Sequence, residues 1–134
     1  MFFNHDFLPH ILLDETTVFP FLKVHVPKLE PLLDFLKTEH DDFRASLKEF
    51  EILFKRFKKM GEQGRPSSGL MGKLRDKGIY IYCLMRNHIQ AEGQNIYAAI
   101  EKYLNEQEKY ELTRQCRRFE ATRALEADVK TRAY

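Results

Sequence analysis

Seven residues set the fold of this chain before anything else is considered. Leu36, His40, Phe43, Leu47, Phe50, Phe54 and Phe57 follow one another in alternating steps of four and three. That spacing keeps an a/d seam on one face of a helix over three heptads. A helix with such a seam buries it against other helices, because only a ridged apolar partner fills the spaces between its side chains. One residue of the seam is out of character. His40 stands where every other position is leucine or phenylalanine.

Weaker patterns surround this helix. A first helix is predicted to open around Asp6, a good N-cap type, with Pro9 tolerated in its first turn. Phe7, His10, Asp14 and Phe21 mark its inner face, and Pro20 is expected to bend or end it. Lys23 to Pro27 reads as a connection, after which Pro27 and Pro31 prepare a new helix start. Residues 61 to 72 collect glycine, proline and serine and are predicted to be a loop. It is no phosphate loop, since Gly72-Lys73 has Ser67 where that motif needs its first glycine. A third helix follows to about Leu104. Its seam is Ile81, Met85, His88, Glu92, Ala99 and Tyr103, with Asn95 or Ile96 filling the gap, and Asn105 is a cap or break. The segment 106–134 is helical in propensity but strongly charged, and Leu112, Cys116, Phe119, Arg123 and Leu125 give it only a thin stripe. No repeat, strand pattern or low-complexity tract interrupts this order, so the expected fold class is an all-α bundle.

Composition narrows the classes of function. A chain of 134 residues holds one domain with one core. Its formal charge of +2 gives no argument for nucleic acid. No apolar run approaches the roughly 20 residues of a membrane span, and the start lacks the pattern of a signal peptide. Cys83 and Cys116 belong to no CxxC pair and make no disulfide framework. The reading is two reduced thiols in a cytoplasmic protein, with Cys83 packed in the core.

Three histidines interrupt helical seams, and two have a carboxylate four residues on: His10 with Asp14, and His88 with Glu92. Residues four apart share a helix face. The third, His40, directly follows Glu39. A histidine on an apolar face is ordinarily a satisfied core residue, and histidinium–carboxylate pairs can bridge a core. Inward carboxylates are harder to explain, because burying one alone costs several kcal/mol or forces protonation. A metal ion supplies the missing charge and accepts the imidazole lone pair. Imidazole with carboxylate and no thiolate suits iron or manganese, and zinc less exclusively. The HExxH pattern is absent, and no histidine has a glutamate three residues before it, as di-iron Glu-x-x-His bundles require.

Order and spacing together resemble the hemerythrin-like HHE cation-binding domains. Their second helix reads His-His-x-x-Glu-Glu-x-x-Leu-Phe-Pro. His10-Ile11-Leu12-Leu13-Asp14-Glu15-Thr16-Thr17-Val18-Phe19-Pro20 is similar to it, with Ile11 at the second histidine and Asp14 at the first glutamate. Their third helix carries Glu-His, as at Glu39-His40. Their fourth reads His-Ile-x-x-Glu-Glu, and His88-Ile89-Gln90-Ala91-Glu92-Gly93 departs from it only at Gly93. The stretch Leu104 to Leu112 looks like the end of these domains, so the resemblance spans about residues 5 to 120.

The resemblance implies an antiparallel four-helix bundle around two non-haem irons, with residues 1–134 as one domain. His10, His40 and His88 would be nitrogen ligands, Asp14 and Glu92 bridging carboxylates, and Glu15 the substitute for Asp14. The family's first helix has no counterpart before His10. His5 lies roughly 140° round the helix from His10, and His25 is read as solvated. One or two irons are therefore expected here. An N-terminally shortened domain, a homodimer that completes the bundle, or residues 106–134 folding back as a fourth helix without a ligand would each account for this, the last being preferred.

The function implied is a binding protein and not an enzyme: a non-haem iron protein that binds or senses dioxygen or nitric oxide, or handles iron for damaged iron–sulfur clusters. The competing class is a metal-free helical interaction module. It would use the seam on residues 36 to 57, or the tail with Arg114, Arg117, Arg118, Arg123 and Arg132. Those arginines alternate with Glu111, Glu120, Glu126 and Asp128, which favours a solvated face. Neither nucleic acid nor membrane is an expected partner.

Overall fold

The computed structural model describes residues 7–64 and 68–132, apart from the side chains of residues 127 and 129–132. The expectations for His5, Asp6, Ser67 and the Arg132 side chain lie outside what is described. Every described element is helical: α1 (Leu8–Leu13), α2 (Phe19–His25), α3 (Glu30–Glu62), α4 (Ser68–Glu92), α5 (Ala98–Tyr103) and α6 (Glu106–Arg132). No strand occurs among the described residues. None of their helices is long and apolar enough to cross a membrane. The chain divides into two compact units, one ending at Asp34 and resuming at Tyr97, the other Phe35–Ile96.

In the first unit, α1 passes into α2 through a π-helical turn, Asp14–Val18, with no break in helical dihedrals. Pro20 therefore does not end the helix. It falls in the first turn of α2, directly after the wide turn in which the Phe19 N–H donates to the Asp14 carbonyl. A π turn displaces the carbonyl ladder that a proline would otherwise strike. The predicted connection shortens accordingly: Lys23 to His25 are helical, and a 3-10 turn, Pro27–Leu29, leads into α3. Ile11, Phe19, Phe21, Leu22, Val26, Leu29 and Leu33 form the buried face of these segments. The turn Asp14–Val18 packs against α6, whose Leu112 is buried. Between α5 and α6 the chain breaks at Leu104, which is extended. Asn105 then caps α6: its Oδ1 accepts the Glu108 N–H at 2.8 Å, and the Glu108 carboxylate accepts the Asn105 N–H at 2.9 Å. Such a reciprocal pair satisfies two otherwise orphaned N–H groups. The stripe on α6 is as thin as expected, with Cys116 and Phe119 half-buried and Leu125 exposed. Arg114 spends its charge locally, on Glu111.

The second unit is an antiparallel hairpin of α3 and α4. The predicted loop at 61–72 is much shorter, because α3 continues to Glu62 and α4 opens at Ser68. Gly64 makes the turn after α3 at φ +79°, a conformation that a side chain resists. Leu36, His40, Phe43 and Leu47 are buried from α3, and Ile81, Met85, His88 and Glu92 from α4. The Tyr80 hydroxyl donates to Asp42 Oδ2 at 2.8 Å, and Lys77 pairs with Glu49. After Glu92 a second π turn, Gly93–Tyr97, follows, and Ile96 fills the seam while Asn95 is exposed.

Three expectations about burial need correction. The seam of α3 leaves the core after Leu47: Phe50 and Phe57 are half-buried and Phe54 is 49% exposed. Cys83 is exposed and not packed in the core. It lies two residues from both Ile81 and Met85, about 200° round the helix from each, so burial of that pair turns it outward. Tyr103 is also exposed, with the Lys28 ammonium 3.5 Å from its ring centroid.

Candidate metal centre

The α3–α4 hairpin brings His40, His88 and Glu92 together in its interior. Their relative exposures are 1%, 2% and 4%. His40 enters because it occupies a seam position between Leu36 and Phe43. His88 and Glu92 enter one turn apart on the facing seam of α4. The two Nε2 atoms lie 2.9 Å apart, and His88 Nε2 is 3.0 Å from Glu92 Oε2. One donor atom from each of the three residues falls within 4.8 Å of the others. Two imidazole nitrogens and a carboxylate oxygen, dry and convergent, suit a divalent cation by donor chemistry.

Behind this group stands a residue that sequence reasoning left in a motif without a role. Glu39 Oε1 is 3.2 Å from His88 Nδ1. With Nδ1–H donated to that carboxylate, Nε2 is the nitrogen turned to His40 and Glu92. A carboxylate behind a histidine in this way fixes the tautomer and ring orientation and raises the basicity of the ligating nitrogen. The available signal was its adjacency to His40, but Glu39 lies about 100° round the helix from His40 and about 60° from Leu36, on the flank of the seam, where the pattern alone gives it no partner.

The electrostatics follow from these contacts. Burial works against a charged His88, but the hydrogen bonds its ring N–H groups donate to Glu92 and Glu39 outweigh it and hold the imidazole above the ordinary histidine range. The same atoms can hold a proton or a cation, and each neutralises the buried Glu92.

The first unit places the remaining residues of the expected set. Asp14 is 2% exposed, at the start of the first π turn. His10 Nε2 is 3.3 Å from Asp14 Oδ2, as their four-residue spacing anticipates. Glu15 is half-buried on the adjoining face. Asp14 opens one π turn and Glu92 immediately precedes the other, and such turns are frequent where helices present functional groups. His25 ends α2 and is exposed, as its reading as a solvated residue anticipates. Its ring stacks on Phe21 at a centroid distance of 4.0 Å, with Nδ1 3.0 Å from the Phe21 carbonyl oxygen.

A helical protein with a buried imidazole and carboxylate donor set has the makings of a helical cation-binding domain. The family model described as hemerythrin HHE cation binding domain matches residues 2–100, and the chain belongs to that family. Its all-α fold is accordingly of the hemerythrin-like helical-bundle class. The match takes in His10, Asp14, Glu39, His40, His88 and Glu92 and ends within α5. No curated protein and no solved structure matches the chain.

Proposed function

We propose that this chain is a non-haem iron protein of the di-iron type that binds or senses dioxygen or nitric oxide, or handles iron. The observation that carries the reading is the buried convergence of His40, His88 and Glu92, with Glu39 orienting His88. Membership of a cation-binding family supports a metal as the occupant. The donor set, imidazole and carboxylate without thiolate, supports iron or manganese over softer-ligand metals. His10, Asp14 and Glu15 join the proposed ligand set on the order of motifs alone.

Bound iron would supply redox chemistry and an open coordination position for a diatomic gas. The chain's own residues do the rest. His40 and His88 would offer neutral nitrogens to the ion, Glu92 would offset its charge, and Glu39 would keep His88 from turning. The surrounding Leu36, Phe43, Ile81 and Ile96 keep bulk water from these groups. The role is binding and not catalysis of a substrate reaction, and the proposed compartment is the cytoplasm.

Anaerobic loading with ferrous iron, metal analysis and an absorption spectrum after exposure to air or nitric oxide test this directly. Bound iron with a gas-dependent visible band is the expected result. Iron below about a tenth of an equivalent on well-folded protein would sink the reading. Manganese or zinc bound in its place would keep the site and discard iron.

A further inference from the structure

Where the seam of α3 leaves the core, it lines a groove that the metal reading does not use. Phe50, Phe54 and Phe57 form one wall, and Leu74, Ile79 and Tyr82 of α4 form the other, around a volume of about 490 Å³. Gly78 lies in it, and a Cβ placed there would meet only the Phe50 ring, at 3.6 Å. The absence of a side chain at that position keeps the groove open. Phe54, Ile79 and Tyr82 are each about half exposed.

Charge distinguishes this end of the hairpin from the rest of the chain. Over Phe50 to Tyr82, the stretch that carries the groove's walls, eight lysines and arginines stand against three carboxylates, Glu51, Glu62 and Asp76, in a chain whose net charge is only +2. Lys77 is engaged by Glu49, and Arg75 by Asp76. Lys55, Arg56, Lys58, Lys59 and Lys73 are exposed and make no ion pair among the described residues.

We propose that this groove docks an acidic amphipathic helix of a partner protein. Its walls run from Phe50 to Phe57, about two helical turns, which matches apolar anchors at i, i+3 or i+4, and i+7. The excess of cations around it selects carboxylates on the flanks of the incoming helix. A second copy presenting the same end would set one cationic cluster against another. A flat anionic bilayer would meet the exposed cations and leave the groove between the helices unfilled.

The test uses the full chain and a fluorescein-labelled helical peptide of about 16 residues, leucine at the anchor positions and glutamate elsewhere. A second peptide carries lysine for every glutamate. Fluorescence anisotropy is expected to show saturable binding of the acidic peptide near 10 µM, weakened by salt, and at least tenfold weaker binding of the lysine peptide. Phe54→Glu, Gly78→Leu and the pair Lys58→Glu with Lys59→Glu should each weaken the acidic peptide about tenfold, with helical circular dichroism unchanged. Equal binding of both peptides, or no effect of variants that remain folded, overturns the proposal. So does capture by phosphatidylserine vesicles without peptide binding. Iron is left out of one series and added in another, so the outcome is independent of the metal reading.

Discussion

His40 and His88 point their Nε2 atoms at each other across 2.9 Å of the hairpin interior. Two neutral imidazoles cannot both present lone pairs at that distance without repulsion. One proton or one cation between the helices resolves the conflict, and Glu92 beside His88 Nε2 favours either.

Glu39 and His88 should separate in their effects on metal. Replacing His88 with alanine removes a proposed ligand, so bound metal per chain should fall. Glu39→Gln leaves all donor atoms in place but weakens the hold on Nδ1. It should keep the stoichiometry and lower the affinity about 10- to 100-fold, the usual cost of losing an orienting carboxylate. Competition with a chromophoric chelator measures both. Unchanged affinity in Glu39→Gln would remove the orienting role.

Protonation of His88 gives the metal-free protein a stability that depends on pH. Its folded pKa is raised, so its contribution is fully present below the unfolded value of about 6.5 and is lost as pH climbs through the higher folded value. The gap in Tm between the wild type and His88→Gln should therefore be widest at and below about pH 6 and narrow as pH is raised above that. Metal competes with that same proton, so affinity should rise over the same interval. A gap that stays constant would show that His88 is neutral in the fold.

The two cysteines should react at different rates. Cys83 is exposed on the outer face of α4, whereas Cys116 is half-buried, and burial pushes its thiol above the usual range, helped by Glu120 and Asp14. Only the thiolate attacks an alkylating agent, so raising the pKa slows reaction at a given pH. Iodoacetamide at about pH 8 should label Cys83 well before Cys116, as read by peptide mass spectrometry. Equal rates would contradict the placement of α6 against the first π turn.

Two phenylalanines of one seam should differ sharply in what they contribute to stability. Phe43 is 1% exposed and Phe54 49%. Phe43→Ala should cost about 3–5 kcal/mol through lost burial and a residual cavity. Phe54→Ala should stay within about 1 kcal/mol. Urea denaturation of the two variants decides it; similar losses would mean that the distal seam is covered in solution.

Spacing by itself determined the helices and the inward face of each near the site. Leu36, His40, Phe43 and Leu47, like Ile81, Met85, His88 and Glu92, had to share a face, because 3.6 residues per turn leaves no other arrangement. The motif order from His10 to Glu92 also carried the family. What spacing could not determine was where a seam stops being covered, since that depends on what packs opposite it. Phe54 and Leu47 read identically in the pattern, yet one lines an open groove and the other the core. The π turn before Pro20 was equally hidden, because it answers a clash between a proline ring and a carbonyl ladder that no periodicity records. Glu39 shows the same limit most plainly. Off the seam of its own helix, it owes its place beside His88 to a residue 49 positions away, and only the folded hairpin brings the two within 3.2 Å.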